Sequence, residues 1–140
     1  MRLLDVNVVL GAHRDDHPHF GSARAWLQDT LATRSPFAVP DLVAGSFLRV
    51  ATNRRMFSIP TPVPEAFAYL RALRGQAAHV NIGPGPCHLD LLERICREAD
   101  ITGDLIPDAQ LAAIAIEHAC ELVSFDRDFA RFADLRWIRP

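Results

Sequence analysis

Residues 3–10 read LLDVNVVL, an aliphatic run interrupted by Asp5 and Asn7. Two large aliphatics followed by β-branched residues predict a short buried strand over 2–6 (RLLDV), then a helical turn through Val8 to Ala12. A carboxylate inside such a strand is costly to bury unless it is hydrogen-bonded, neutralised or placed where the strand ends. Asp5 therefore reads either as a cap for the following turn, with Asn7 helping, or as a functional group. The same alternation continues outward. PFAV (36–39), HVNI (79–82), ELVSF (121–125) and LRWI (135–138) read as further strands. Helices are predicted from about His19 to Leu31, from Asp41 through DLVAGSFLRVAT, and through TPVPEAFAYLRAL with Pro64 near its first turn. Two more follow, CHLDLLERICREA after the GPGP stop and DAQLAAIAIEHA after Pro107, with DRDFARF as a short last helix. Strands alternating with helices predict an α/β domain with a parallel sheet covered on both faces. Sites in such sheets lie beyond the carboxyl ends of the strands, near a topological switch point.

The chain has 140 residues, 49% of them apolar and 23% charged, with a formal net charge of -2, which predicts one domain spanning 1–140. All 15 basic residues are Arg, a bias that GC-rich coding explains, and 17 acids offset them. No basic footprint for nonspecific nucleic-acid binding exists, so any phosphate-handling role rests on a local site. Cys87, Cys96 and Cys120 form no CxxC pair, which argues against a disulfide framework or a zinc ribbon and fits a reducing, cytoplasmic setting. No apolar run reaches the roughly 18 residues of a membrane span, and a soluble protein is expected.

Three further acids matter. Asp126 follows the strand LVSF, where a cap is the ordinary explanation. Asp108 opens a helix after Pro107, where the helix dipole favours an acid. Asp104 lies four residues earlier, in a loop, as a turn residue or an assisting group. In a parallel sheet Asp5, Asp108 and Asp126 would converge on one edge. Two carboxylates about 4 Å apart repel by about 4 kcal/mol at an effective dielectric of 20, so such a cluster favours protonation or a bound cation. All-oxygen ligation selects Mg2+ or Mn2+. Such an ion can prepare water for attack on a phosphodiester.

With LLDVNVVL (3–10), FLRVATNRR (47–55), GDLIPDAQLAAIA (103–115) and LVSFDRDFARF (122–132), nearly the whole chain resembles the PIN-domain ribonucleases, specifically the VapC toxins of bacterial toxin–antitoxin pairs. The resemblance implies a three-layer α/β/α sandwich with a central parallel sheet of four to five strands. It matches Asp5 and Asp108 to the family's main magnesium-binding aspartates and Asp126 to the acid after the fourth strand, with Asp104 beside the site. Asn7 and Ser124 fall where polar residues accompany these acids. It further implies metal-dependent cleavage of structured cellular RNA such as tRNA or rRNA, leaving 5′-phosphate and 3′-hydroxyl ends, and growth arrest by the free toxin. A VapB-type antitoxin covering the groove and a homodimer are implied as partners. There is one departure: where the family carries a Glu in the helix after the second strand, this chain has Ala44, Gly45 and Ser46. Asp41, a helical turn earlier, is the candidate substitute, and a single ion completed by water and phosphate is the simpler expectation.

Arg49, Arg54 and Arg55 offer an RNA-phosphate strip or a solvated helix end. His13, Asp15, Asp16, His17 and His19 read as a solvated loop, because Pro18 breaks helical spacing. Trp26, Phe47, Phe67 and Trp137 read as core or interface. The cysteines and Tyr69 lack a neighbouring base pattern for nucleophilic catalysis. A haloacid-dehalogenase-like phosphatase would need a second Asp at position 7, which is Asn. A non-catalytic binding module of the same fold is the remaining alternative.

Overall fold

A computed structural model describes residues 1–140. Four strands form one sheet: β1 (Arg2–Leu4), β2 (Phe37–Ala38), β3 (Glu121–Val123) and β4 (Arg136–Ile138). Their order is β2-β1-β3-β4, and every pairing is parallel. Six helices surround them: α1 (Val6–His13), α2 (Phe20–Ala32), α3 (Asp41–Ala51), α4 (Val63–Arg74), α5 (His88–Glu98) and α6 (Ile106–Glu117). Leu3, Leu4, Leu122 and Val123 are buried, as strands covered on both faces require. The architecture is the three-layer α/β/α sandwich expected, with four strands.

The register places Arg2 opposite Phe37 on one side and Glu121 on the other. From β1 the chain crosses outward to β2 through α1 and α2, then returns past β1 to β3 through α3 to α6. The sheet therefore changes winding direction between β1 and β3, and at their carboxyl ends this opens the crevice where ligands of open α/β sheets bind. Helix α6 is buried nearly all round through Ala109 and Leu111–Ala115, which explains its almost uninterrupted apolar sequence. Its Ala residues also let it approach the sheet closely.

The predicted strand over 79–82 shrinks to one bridge, between Phe37 and His79. Phe37 N donates to Ala78 O and Val80 N to Phe37 O. The ladder stops there because Val39 N donates to the His79 ring at Nε2 (3.3 Å) instead of to a backbone carbonyl. Asn81 is meanwhile turned to Arg74, whose Nη2 donates to its side-chain oxygen. This short, side-chain-capped edge offers little template for further strand pairing. At the ends of β1 and β3 the ladder gives way to the site: Asp5 caps α1, the Ser124 hydroxyl donates to Asp5 and the Phe125 N–H donates to Asn7.

Candidate active site

Asp5 follows β1 directly. Its backbone N–H still pairs with Val123 O (3.0 Å), while its carbonyl accepts from Val8 and Val9 to open α1. In the same residue, Oδ1 accepts the Val6 N–H at 2.6 Å. The cap anticipated from sequence is thus real, and it uses only part of the carboxylate's acceptor capacity. Oδ2 accepts from Ser124 Oγ at 2.6 Å, across 119 positions of chain.

Ser124 joins the strand ends. It is fully buried; its Oγ donates to Asp5 and accepts from Asn7 Nδ2 (2.9 Å) and from the Asp126 N–H (3.0 Å). Asn7 completes the link by accepting the Phe125 N–H at Oδ1 (3.2 Å). Both ends of Ser124's backbone are used as well, its N–H by Ile138 O and its carbonyl by Trp137 Nε1. Asp126 in turn caps the 3-10 turn Arg127–Arg131 by accepting the Asp128 N–H (2.8 Å). Asn7 and Ser124 thus join the β1 and β3 ends and set the carboxylates.

Asp108 comes to the same edge from the first turn of α6. It shares with Asp5 a small cleft of about 40 Å3, also walled by Leu42 and Ser46 of α3. Burial dominates the electrostatics, and like charges add to it. Burial, opposed by the Ser124 and Val6 hydrogen bonds and reinforced by Asp108 and Asp126, pushes the Asp5 carboxyl up to about 6. Burial raises Asp108 too, helped by Asp126 and Asp128, with Arg131 pulling the other way. Asp128 and Arg131, ion-paired at 3.0 Å, are the charged neighbours that the sequence reading missed. Their positions in DRDFARF gave no sign of facing α6.

The PIN domain family model matches residues 2–135. Ribonuclease VapC31 of Mycobacterium tuberculosis is 59% identical over 140 residues, covering 100% of this chain and 99% of that one. The chain belongs to the VapC ribonuclease family of PIN-domain proteins. Ribonuclease VapC25 of the same organism is 57% identical, over 100% of this chain and 99% of that one. In shape, this VapC-family chain resembles VapBC2 of Rickettsia felis, solved on a promoter DNA fragment, with a TM-score of 0.73 at 17% identity over 99% and 97% of the two chains. It also resembles M. tuberculosis VapC20, described as a Sarcin-Ricin loop cleaving toxin, with a TM-score of 0.68 at 15% identity over 97% and 99%.

Other predicted site residues of the VapC-family chain are placed differently. Asp41 stands at the start of α3, with its carboxylate 90% exposed and paired to Arg74 at 2.8 Å. It lines the neighbouring cavity, whereas Ser46 lines the cleft with Asp5 and Asp108. Asp41 therefore does not stand at the cleft in place of the absent Glu: at the cleft wall stands the Ser46 hydroxyl. Asp104 is exposed in the 3-10 turn Gly103–Leu105 that leads into α6. Arg49 is exposed one turn beyond Ser46, and Arg54 and Arg55 follow the far end of α3, so the Arg strip trails away from the carboxylates. In the His-rich loop, His13 Nε2 contacts Thr61 Oγ1 (3.2 Å), Asp16 pairs with Arg14, and His19 stacks on Phe125 at 4.1 Å.

No three His, Cys, Asp or Glu side chains close on one point tightly enough to enclose an ion. The pair of carboxylates that shares the cleft, Asp5 and Asp108, is the kind of donor set that Mg2+ takes together with several waters and substrate phosphate. It does not suit a cage of protein ligands such as structural zinc demands.

Proposed function

We propose that this chain is a Mg2+-dependent endoribonuclease, with Mn2+ as a substitute ion, and the toxin of a type II toxin–antitoxin pair. The observation that supports the reading is the cleft shared by Asp5 and Asp108 at the β1/β3 switch point, with the charges of Asp108 and Asp126 adding to the burial that raises Asp5. RNA is itself anionic, so it can approach this edge only when a cation offsets the carboxylates. Asp5, Asp108 and Asp126 would hold the ion, directly or through water. When bound, a divalent ion acidifies water and neutralises charge on the scissile phosphate.

The chain's own residues do the rest. Ser124 and the Val6 N–H lock the Asp5 carboxylate while leaving lone pairs on both oxygens free. Asn7 ties Ser124 to Phe125, fixing the backbone that carries Asp126. Arg131 offsets the negative charge at Asp108. The products are 5′-phosphate and 3′-hydroxyl ends. The substrate is a structured cellular RNA, tRNA or rRNA, cut in the cytoplasm; free toxin arrests growth. A VapB-type antitoxin restrains the enzyme, a homodimer, by covering the groove. No helix is long and apolar enough to cross a membrane.

One observation favours a second reading. Ser46 replaces a carboxylate at the cleft and no three-ligand set closes, as in a PIN-like module that binds RNA or a partner without cutting.

The deciding experiment is incubation of total RNA with antitoxin-free protein in Mg2+, Mn2+ or EDTA, beside Asp5→Asn and Asp108→Asn. Discrete, metal-dependent cuts are expected, and each substitution should cost more than the roughly 10–100-fold typical of outer-sphere partners. Cutting that survives both substitutions would place the activity elsewhere. A folded protein that neither cuts RNA nor binds metal would establish the non-catalytic module.

A further inference from the structure

Beside the carboxylate cleft lies a second, larger cavity of about 260 Å3, and Leu42 is a wall of both. Its apolar surfaces include Ile82 and Ile114, and its polar ones include Gln110 and His88. The volume falls below the roughly 300–1,000 Å3 of pockets for drug-sized ligands and accommodates one planar heterocycle. The His88 Nδ1 is buried without a hydrogen-bond partner; Glu117 Oε2, 3.9 Å away, is too distant to supply one.

The wall facing α6 is fastened in place. Glu117, in the last turn of α6, accepts the Gly85 and Cys87 N–H groups, each at 2.9 Å. His118 Nε2 meets Gly83 O at 2.8 Å. A Cβ on Gly85 would lie 2.5 Å from Glu117 Oε1, so a larger residue here would displace the Glu117 carboxylate. One helix therefore carries Asp108 at its first turn, lines the cavity with Gln110 and Ile114, and anchors the opposite wall at its end. The cavity is held in fixed register with the carboxylates.

Apolar flanks that can sandwich a ring, together with a Gln that offers a donor and an acceptor on one amide, are the features that recognise a base outside a helix. We propose that this cavity is a nucleobase subsite, taking one unstacked base of the RNA next to the phosphodiester held at the Asp5–Asp108 cleft. The inference rests on the ribonuclease reading and adds the source of its sequence preference. Gln110 is the specificity-determining residue, and the 82–84 loop supplies one wall.

The test is titration of the metal-free full chain with adenosine, guanosine, cytidine and uridine at millimolar concentration, followed by NMR. Nucleosides carry no phosphate and so report the base alone. At least one should give saturable shifts at the Gln110 side-chain amide and at Ile82 and Gly83. Gly83→Val, which adds bulk to a residue of the cavity wall, should weaken that binding at least tenfold, and the fold should accept it because nothing lies within 4 Å of the added Cβ and its φ is not strained. Gln110→Leu, which keeps the bulk and removes the amide, should change which nucleoside binds best and which base is found at the cut sites. The inference is overturned if no nucleoside gives saturable shifts there, or if both variants, still folded by their own spectra, bind and cut as the parent does. A protein that binds nucleoside in this cavity yet cuts no RNA supports the subsite and removes the ribonuclease reading. One that cuts RNA with unchanged preference in both variants does the reverse.

Discussion

Asp5 is held by the Val6 N–H on one oxygen and Ser124 Oγ on the other, yet burial still raises its carboxyl to about 6. Because the folded-state value lies above the unfolded value of 3.8, the folded protein binds this proton more tightly. The stabilising contribution is present below about pH 4 and is lost as pH rises through about 6. A neutral side chain escapes that loss. The stability of Asp5→Asn relative to the parent, in the absence of metal, should therefore increase from pH 4 to pH 7 by on the order of 2 kcal/mol. Urea denaturation at the two pH values measures it, and a pH-independent difference would contradict the account. Ser124→Ala removes a bond that lowers Asp5 and leaves Asn7 Nδ2 and the Asp126 N–H without their acceptor. It should cost about 1–3 kcal/mol and weaken Mg2+ binding roughly 10–100-fold, as read by calorimetric titration. At this scale the sequence already placed Asp5 and Asp126 after strands and Asp108 in the first turn of a helix, which is where the fold has them. It left open whether Asp41 reaches the cleft, because whether residue 41 or 46 faces it depends on how α3 is rotated in the packed fold.

Among the elements, α6 does two separable jobs. Its first turn brings Asp108 to the sheet edge, and Glu117 in its last turn grips the loop before α5. Glu117→Ala should therefore cost about 1–3 kcal/mol through two lost hydrogen bonds to a charged acceptor while leaving Mg2+ affinity unchanged. Thermal unfolding and metal titration on one preparation would show it, and a parallel fall in metal affinity would mean that the two ends of the helix are coupled. The helices were legible in the sequence because apolar spacing, Pro64 and Pro107 near helix starts and the GPGP stop are local signals. The segment 79–82 was not, since HVNI has the composition of a strand and the ring of His79 intercepts the Val39 N–H that would have continued the ladder. No local pattern reports that competition.

For the whole molecule, the consequence of gathering like charges at one edge is that a cation should stabilise the fold as well as serve the chemistry. Saturating Mg2+ at pH 7 should raise the unfolding free energy by about 2.7 kcal/mol at a hundredfold excess over the dissociation constant, and EDTA should reverse it. The gain should shrink at pH 5, where the Asp5 proton competes with the ion. Scanning calorimetry across that range is the check, and an equal gain at both pH values would exclude Asp5 as a ligand. The sequence by itself determined the order of strands and helices apart from 79–82, the parallel α/β class and the identity of the acids at strand and helix ends, because apolar runs, caps and breakers act over a few residues. Only the tertiary structure decided that Ser124 closes on Asp5, that Ser46 and not Asp41 faces the cleft, that Asp128 and Arg131 bear on Asp108, and that a fastened cavity lies alongside. Those relations join residues up to 119 positions apart, and they exist only once burial of β1 and β3 side by side has brought the strand ends together.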